Sequence, residues 1–219
     1  MENITVSADN YALELELRRS SLDRFKRHLS ITKSHIEFGG KKILFSEVDA
    51  MRYGILQMYY NGIRTNRIFE IRLKDKTGQA MRITFSSEFG INKRKIEDTY
   101  NLILDSLWFA VTGKLVNKYY DELFKGNTIQ IANCDLTPHG IGFKFGLFVK
   151  KPYFLTWDKV LMVADKGFLI IRSSENKRIC KRLPLMRTWN AVVLHALLNW
   201  LWKEGRAYNL SKQHKTHNV

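Results

Sequence analysis

Apolar and polar residues alternate with period two through most of the first 85 positions. Leu13, Leu15 and Leu17 are interleaved with Glu14, Glu16 and Arg18, the pattern of a half-buried strand. Further strand segments are expected at 29–32, 35–38, 41–45, 48–60, 67–73 and 80–85. The charged stretch 22–28 reads as a short helix or a loop. Turns are signalled by Gly39-Gly40, Asn61-Gly62 and residues 75–78. Asn61-Gly62 is the strongest of these, because a tight hairpin turn needs two consecutive residues that accept positive φ.

The period then changes. Ile96, Tyr100, Ile103, Leu104, Leu107, Trp108 and Val111 fall on one helical stripe, with Asn92 as the expected N-cap. A second helical stretch at 114–125 ends at Gly126-Asn127, where a left-handed residue closes helices. Gly113 leaves open whether 92–125 is one helix or two. Strands resume at 128–132, 140–145, 153–157, 160–163, 168–172 and 177–183, and a helix at 188–203 follows. The tail, 206–219, is polar.

The order strands, helix, strands, helix suggests a duplication, and residues support it. Ile31-Thr32-Lys33-Ser34-His35-Ile36-Glu37-Phe38 matches Leu136-Thr137-Pro138-His139-Gly140-Ile141-Gly142-Phe143 at an offset of 105. Phe45-Ser46-Glu47-Val48 matches Trp157-Asp158-Lys159-Val160 at 112. In the helices, Thr99-Tyr100, Ile103-Leu104, Leu107 and Val111 are aligned with Thr188-Trp189, Val192-Val193, Ala196 and Trp200 at 89. The expected division is 1–112, a helical connector at 113–126, 127–205, and the tail at 206–219.

These segments resemble the bacterial pleckstrin-homology-like (PH-like) domains. The carriers are Leu136-Thr137-Pro138-His139-Gly140-Ile141-Gly142-Phe143 and Leu155-Thr156-Trp157-Asp158-Lys159-Val160, and the second half fits better than the first. The resemblance implies a mainly β fold with helices: two strongly bent, seven-stranded barrels, each closed by a C-terminal helix and used as a binding module. It brings no invariant ligand residues. Asp135-Leu136-Thr137-Pro138-His139-Gly140 is also similar to the Asp-x-Ser-x-x-Gly element of cyclic-dinucleotide-binding PilZ domains. Against that alternative, 114–133 contains no arginine pair to grip phosphate and guanine, and Thr137 stands where serine is usual.

Composition narrows the class. The 219 residues are 45% hydrophobic and 26% charged, which suits a folded domain and excludes disorder. Two cysteines, Cys134 and Cys180, make no disulfide framework. The N-terminal segment has no signal-peptide pattern, and the longest apolar stretch is too short for a membrane span. The expected location is cytoplasmic, with peripheral attachment to a membrane. Six scattered histidines offer no metal site, and no nucleophile, phosphate-loop or dinucleotide motif is present. The chain is therefore expected not to be an enzyme and to use no metal or cofactor.

The formal charge of +15 is unevenly spread: +4 over residues 1–112 and +11 over 113–219. Such a field attracts anionic partners. The expected anion-binding residues are Lys144, Phe148, Lys150 and Lys151 in the long hairpin of the second repeat, and Lys177, Arg178, Lys181 and Arg182 in a following strand. Alternation would put Lys144, Phe148 and Lys150 on one exposed face, Arg178 with Arg182 on another, and Lys177 with Lys181 opposite them. Arg18, Arg19, Arg24, Lys26 and Arg27 add positive surface. Lys93, Arg94 and Lys95 do so at a helix start, where cations oppose the helix dipole. The expected partner is an anionic membrane surface or an acidic protein, with non-specific nucleic-acid binding as the alternative. In the last helix Leu194, Leu198 and Trp202 fall off the expected core stripe, so they are expected to pack on the other repeat or on a second copy in a homo-oligomer.

Overall fold

The computed structural model describes residues 5–7, 12–20, 23–145 and 151–203. The fold is mainly β with helices, and the chain divides into two compact units, Met1–Lys114 and Leu115–Val219. Most of the stretch expected as a helical connector, from Leu115 on, falls in the second unit.

The first unit opens with a five-stranded antiparallel meander: β1 (Thr5–Ser7), β2 (Ala12–Arg18), β3 (Lys26–Ile31), β4 (His35–Phe38) and β5 (Lys41–Leu44). A three-stranded meander follows: β6 (Val48–Tyr60), β7 (Ile63–Asp75) and β8 (Ala80–Glu88). Helix α1 (Lys93–Leu107) runs on into a π-helical segment, Trp108–Thr112. The alternation read from sequence is the burial pattern. Leu13, Leu15, Leu17, Leu29, Ile31, Ile36 and Phe38 point inward, and Phe69, Ile71 and Leu73 pair with Met81, Ile83 and Phe85 across β7 and β8. Phe69 stacks on Phe85 at 5.6 Å between centroids, and Tyr100 of α1 closes on both rings.

The second unit begins with α2 (Gly113–Phe124), whose first two residues precede the division. Gly113 is right-handed helical (φ −60, ψ −41), so it does not end the helical path. The end comes at Gly126, left-handed at φ 89: its N–H donates to Leu123 O and that of Asn127 to Glu122 O. A four-stranded meander follows: β9 (Ile129–Ile131), β10 (Cys134–Thr137), β11 (Gly140–Phe145) and β12 (Lys151–Thr156). After a 3-10 turn at Trp157–Lys159 come β13 (Val160–Asp165), β14 (Phe168–Ser173) and β15 (Cys180–Pro184), then α3 (Ala191–Lys203). None of the four sheets closes on itself into a barrel.

The two units share their order: four antiparallel strands, three antiparallel strands, a helix, with β1 as an addition in the first. Equivalent residues make equivalent bonds. Thr32 Oγ1 accepts from the N–H groups of Ser34 and His35, and Thr137 Oγ1 from those of His139 and Gly140. Phe45 N–H donates to Ser34 O, and Trp157 N–H to His139 O. Lys76 N–H donates to Glu47 O, and Ser174 N–H to Lys159 O.

The helices correct one expectation. Asn92 and Asn190 both have positive φ (54 and 59) directly before their helices. Ile96 N–H donates to Asn92 O and Leu194 N–H to Asn190 O. The helical offset is therefore 98, not 89, and Thr188 and Trp189 precede α3 instead of opening it. Ile96, Tyr100 and Ile103 correspond to Leu194, Leu198 and Leu201. The register slipped because α3 is apolar on nearly every face, so a stripe can be drawn through it in several ways. Asn92 itself makes no side-chain cap; what it supplies is the left-handed backbone.

Candidate functional site

The two basic segments expected to bind anions come together in part. β11 lies against β15, and the Lys181 ammonium donates to Lys144 O at 3.3 Å. Lys144 and Lys151 are exposed, and Lys151 pairs with Phe145 across the β11–β12 ladder. Arg182 is exposed on the outer face of β15, while Leu183 is buried. Lys177 and Arg178 are not in that strand. They sit in an exposed turn before it, where Arg178 N–H donates to Asn176 Oδ1 and Ile179 N–H to Asn176 O. The turn exists because Ser173 N–H must reach Ile179 O to close the hairpin. The expected alternation of Lys177 and Arg178 with Lys181 and Arg182 is thereby lost. Phe148 and Lys150, and the tail 206–219, lie outside the described residues.

Leu194 and Leu198 are fully buried in the single chain, and Trp202 is half-buried with its ring edge-on to Trp157 at 5.6 Å. Leu198 occupies the position of Tyr100, which faces the core in α1. Trp200 of α3 meets α2, with Tyr120 packed on it at 4.5 Å, and Asn190 Nδ2, just before α3, donates to Tyr119 Oη at 3.3 Å.

Thr137 has a structural task. Besides accepting two N–H groups it donates to Gly140 O, and Thr32 donates likewise to His35 O. Trp157 Nε1 donates to Pro138 O at 2.9 Å below this turn. Cys134 is buried, and burial pushes its thiol up to about 12, so it is no nucleophile. Among the described residues no group of three His, Cys, Asp or Glu is placed to hold a metal ion, and no helix is long and apolar enough to cross a membrane.

The first unit, nearly balanced in charge, assembles cations that are far apart in sequence. A hollow of about 280 Å³ is lined by Arg18 of β2, Lys26 of β3 and Lys95 of α1, together with the hydroxyl residues Ser20, Ser86 and Thr99. Among the described residues no carboxylate lines it. Arg18 and Lys26 are direct cross-strand partners, a like-charge pairing that costs stability. Charge runs at 18–27 and 93–95 were visible in the sequence; their convergence was not.

A row of arginines crosses the second sheet of this unit. Arg52, Arg72 and Arg82 are successive cross-strand neighbours. Glu70 is buried and held by Arg72 Nε at 2.8 Å and Arg82 Nη2 at 2.6 Å. Burial and the positive charges of Arg72 and Arg82 lower the proton affinity of Arg52, and Glu70 opposes that shift.

Comparison with known protein families, with curated proteins and with solved structures finds no match for this chain.

Proposed function

We propose that the chain is a non-enzymatic binding protein made of two PH-like modules, and that its target is an anionic membrane surface. The order of four strands, three strands and a helix, present in both units, supports the PH-like reading. The anionic target rests on one observation: the hollow in the first unit gathers Arg18, Lys26 and Lys95, with no carboxylate among its described lining residues. Cations gathered at one hollow make a local positive field that attracts an anion. The Lys144, Lys151, Lys181 and Arg182 group of the second unit supplies further attraction, at about 1 kcal/mol per cation near an anionic bilayer.

Flotation with vesicles tests the reading. The protein should float with phosphatidylcholine vesicles that contain phosphatidylserine and not with phosphatidylcholine alone. Combined Arg18→Glu, Lys26→Glu and Lys95→Glu substitution should abolish flotation while the circular dichroism spectrum is kept. Failure of the wild-type protein to float at low salt would remove the membrane reading. Binding to an acidic protein or to DNA under the same conditions, with no vesicle binding, would replace it.

A further inference from the structure

The sheet β6–β7–β8 has a feature its counterpart lacks. β8 stops pairing with β7 at the pair Asn66–Glu88, but the β6–β7 ladder continues to Tyr60–Ile63. The residues beyond form a two-stranded ribbon that reaches about 10 Å past the sheet, taking roughly 3.3 Å per residue. In the second unit the matching strand has 6 residues where β6 has 13, and its turn is flanked by Asp165. Both turns have the same left-handed pair, Asn61-Gly62 and Lys166-Gly167, so the extension is an addition to a shared hairpin.

The ribbon is apolar where water should make it polar. Tyr59, Tyr60 and Ile63 are 57%, 70% and 66% exposed, and Met58 is exposed too. A bulge on β7 at Thr65 and Asn66, opposite Met58, shifts the register near the tip, and Gln57 Nε2 donates across it to Met58 O and Asn66 O. Tyr59 pairs with Arg64 and Tyr60 with Ile63, adjacent rungs that face opposite sides, so apolar side chains stand on both faces. At the ribbon's base, Phe89 N–H donates to Thr65 O, and Phe89 is 73% exposed with φ 48, a left-handed conformation that an aromatic residue rarely adopts. Exposed Ile91 and the cations Lys93, Arg94 and Lys95 follow directly.

We propose that this ribbon is a wedge that enters the interfacial layer of an anionic bilayer. The inference rests on the membrane reading above and goes further, because it assigns insertion to a particular element. A convex tip that is apolar on both faces suits a medium that surrounds it. Tyrosine suits the boundary between headgroups and acyl chains, and the 10 Å reach matches the depth of that boundary. Cations sit behind the tip, where headgroups would lie: Arg64 on the ribbon, and Lys93 and Arg94 in a cleft shared with Ile55 and Arg67. Within the cleft Glu97 pairs with Arg67, and Asp98 lies beside Lys93 and Arg94.

A fluorophore placed on the tip tests this. In the full-length chain carrying Cys180→Ser, Ile63→Cys is labelled with an environment-sensitive dye, with Lys76→Cys as the control; buried Cys134 stays unlabelled. Phosphatidylserine-containing vesicles should blue-shift the dye at 63 and shield it from iodide, and leave the dye at 76 unchanged. Tyr60→Asp with Ile63→Asp, both on exposed positions, should weaken vesicle binding by about tenfold or more without altering the circular dichroism spectrum. Flotation with a dye at 63 that iodide still quenches would overturn the wedge and leave the membrane reading standing. Absence of flotation by the unlabelled wild type would remove both. A blue shift on adding unlabelled protein without vesicles, or on adding a single-stranded oligonucleotide, would also overturn it, by showing that a second copy or a nucleic acid covers the ribbon.

Discussion

Thr32 and Thr137, 105 residues apart, close the same turn with the same three hydrogen bonds. Each hydroxyl accepts two backbone N–H groups and donates to the carbonyl three residues on. Thr32→Val or Thr137→Val removes these bonds while keeping the side chain's shape, and each should cost about 1 kcal/mol. Urea denaturation of the two variants checks this. A near-zero cost in either unit would show that water replaces the hydroxyl there.

Gly140 and Gly142 alternate on β11 and should behave differently. A methyl group on Gly140 would overlap the Leu155 carbonyl oxygen and come 2.8 Å from the Phe154 ring, whereas on Gly142 its nearest neighbour is at 3.6 Å. Gly140→Ala should destabilise by about 1–3 kcal/mol, as overpacking does, and Gly142→Ala by much less. Thermal melts of the pair give the comparison.

Glu70 is the carboxylate that Arg72 and Arg82 share. Glu70→Gln leaves the shape and removes the charge, so Arg72 and Arg82 lose the counter-charge they share. The expected loss is about 1–3 kcal/mol, kept modest by the exposure of Arg82 to solvent. Because the interaction is coulombic, raising the salt concentration should recover part of the loss, measured by denaturation at two ionic strengths.

His195 links the second unit to pH. Burial lowers its pKa from the ordinary 6.5, and its Nε2 lies 3.0 Å from Asn199 Nδ2. The folded state therefore prefers neutral imidazole. The unfolded chain binds the proton more readily, so stability is full above pH 6.5 and falls as the pH drops below it toward the folded value. Melts between pH 7.5 and 5.5 should show this loss, and His195→Gln should flatten it. An unchanged slope in the variant would place the titration elsewhere.

The two cysteines should differ in reactivity. Cys134 is fully buried with its thiol pushed up to about 12, while Cys180 is partly accessible. A thiol reagent at pH 8 should modify one cysteine in the native protein and two in denaturant. Cys180→Ser should reduce the native count to zero.

Much of the fold was legible from residue order. Period-two alternation placed the inward leucines, isoleucines and phenylalanines of β2, β4, β7 and β8, because side chains of a strand alternate whatever the strand packs against. Gly39-Gly40 and Asn61-Gly62 marked turns because positive φ is a property of the residue itself. The repeat showed at 31–38 and 136–143 for a similar reason: its Thr-centred turn is local.

Tertiary structure decided the remainder. The sequence placed Leu194 and Leu198 away from the core because a helix apolar on every side has no intrinsic register; packing against the strands and α2 supplied one. It read Lys177 and Arg178 as strand because basic residues do not reveal where a ladder begins, which Ser173 and Ile179 settle by bonding across the turn. Composition showed only that the second half carries more charge, since it adds charges without locating them. Folding brings Arg18, Lys26 and Lys95 to one hollow and leaves Tyr59, Tyr60 and Ile63 beyond the end of β8. Whether an apolar residue on a strand is core or surface depends on whether another element covers it, and that depends on the length of a neighbouring strand, not on the residue.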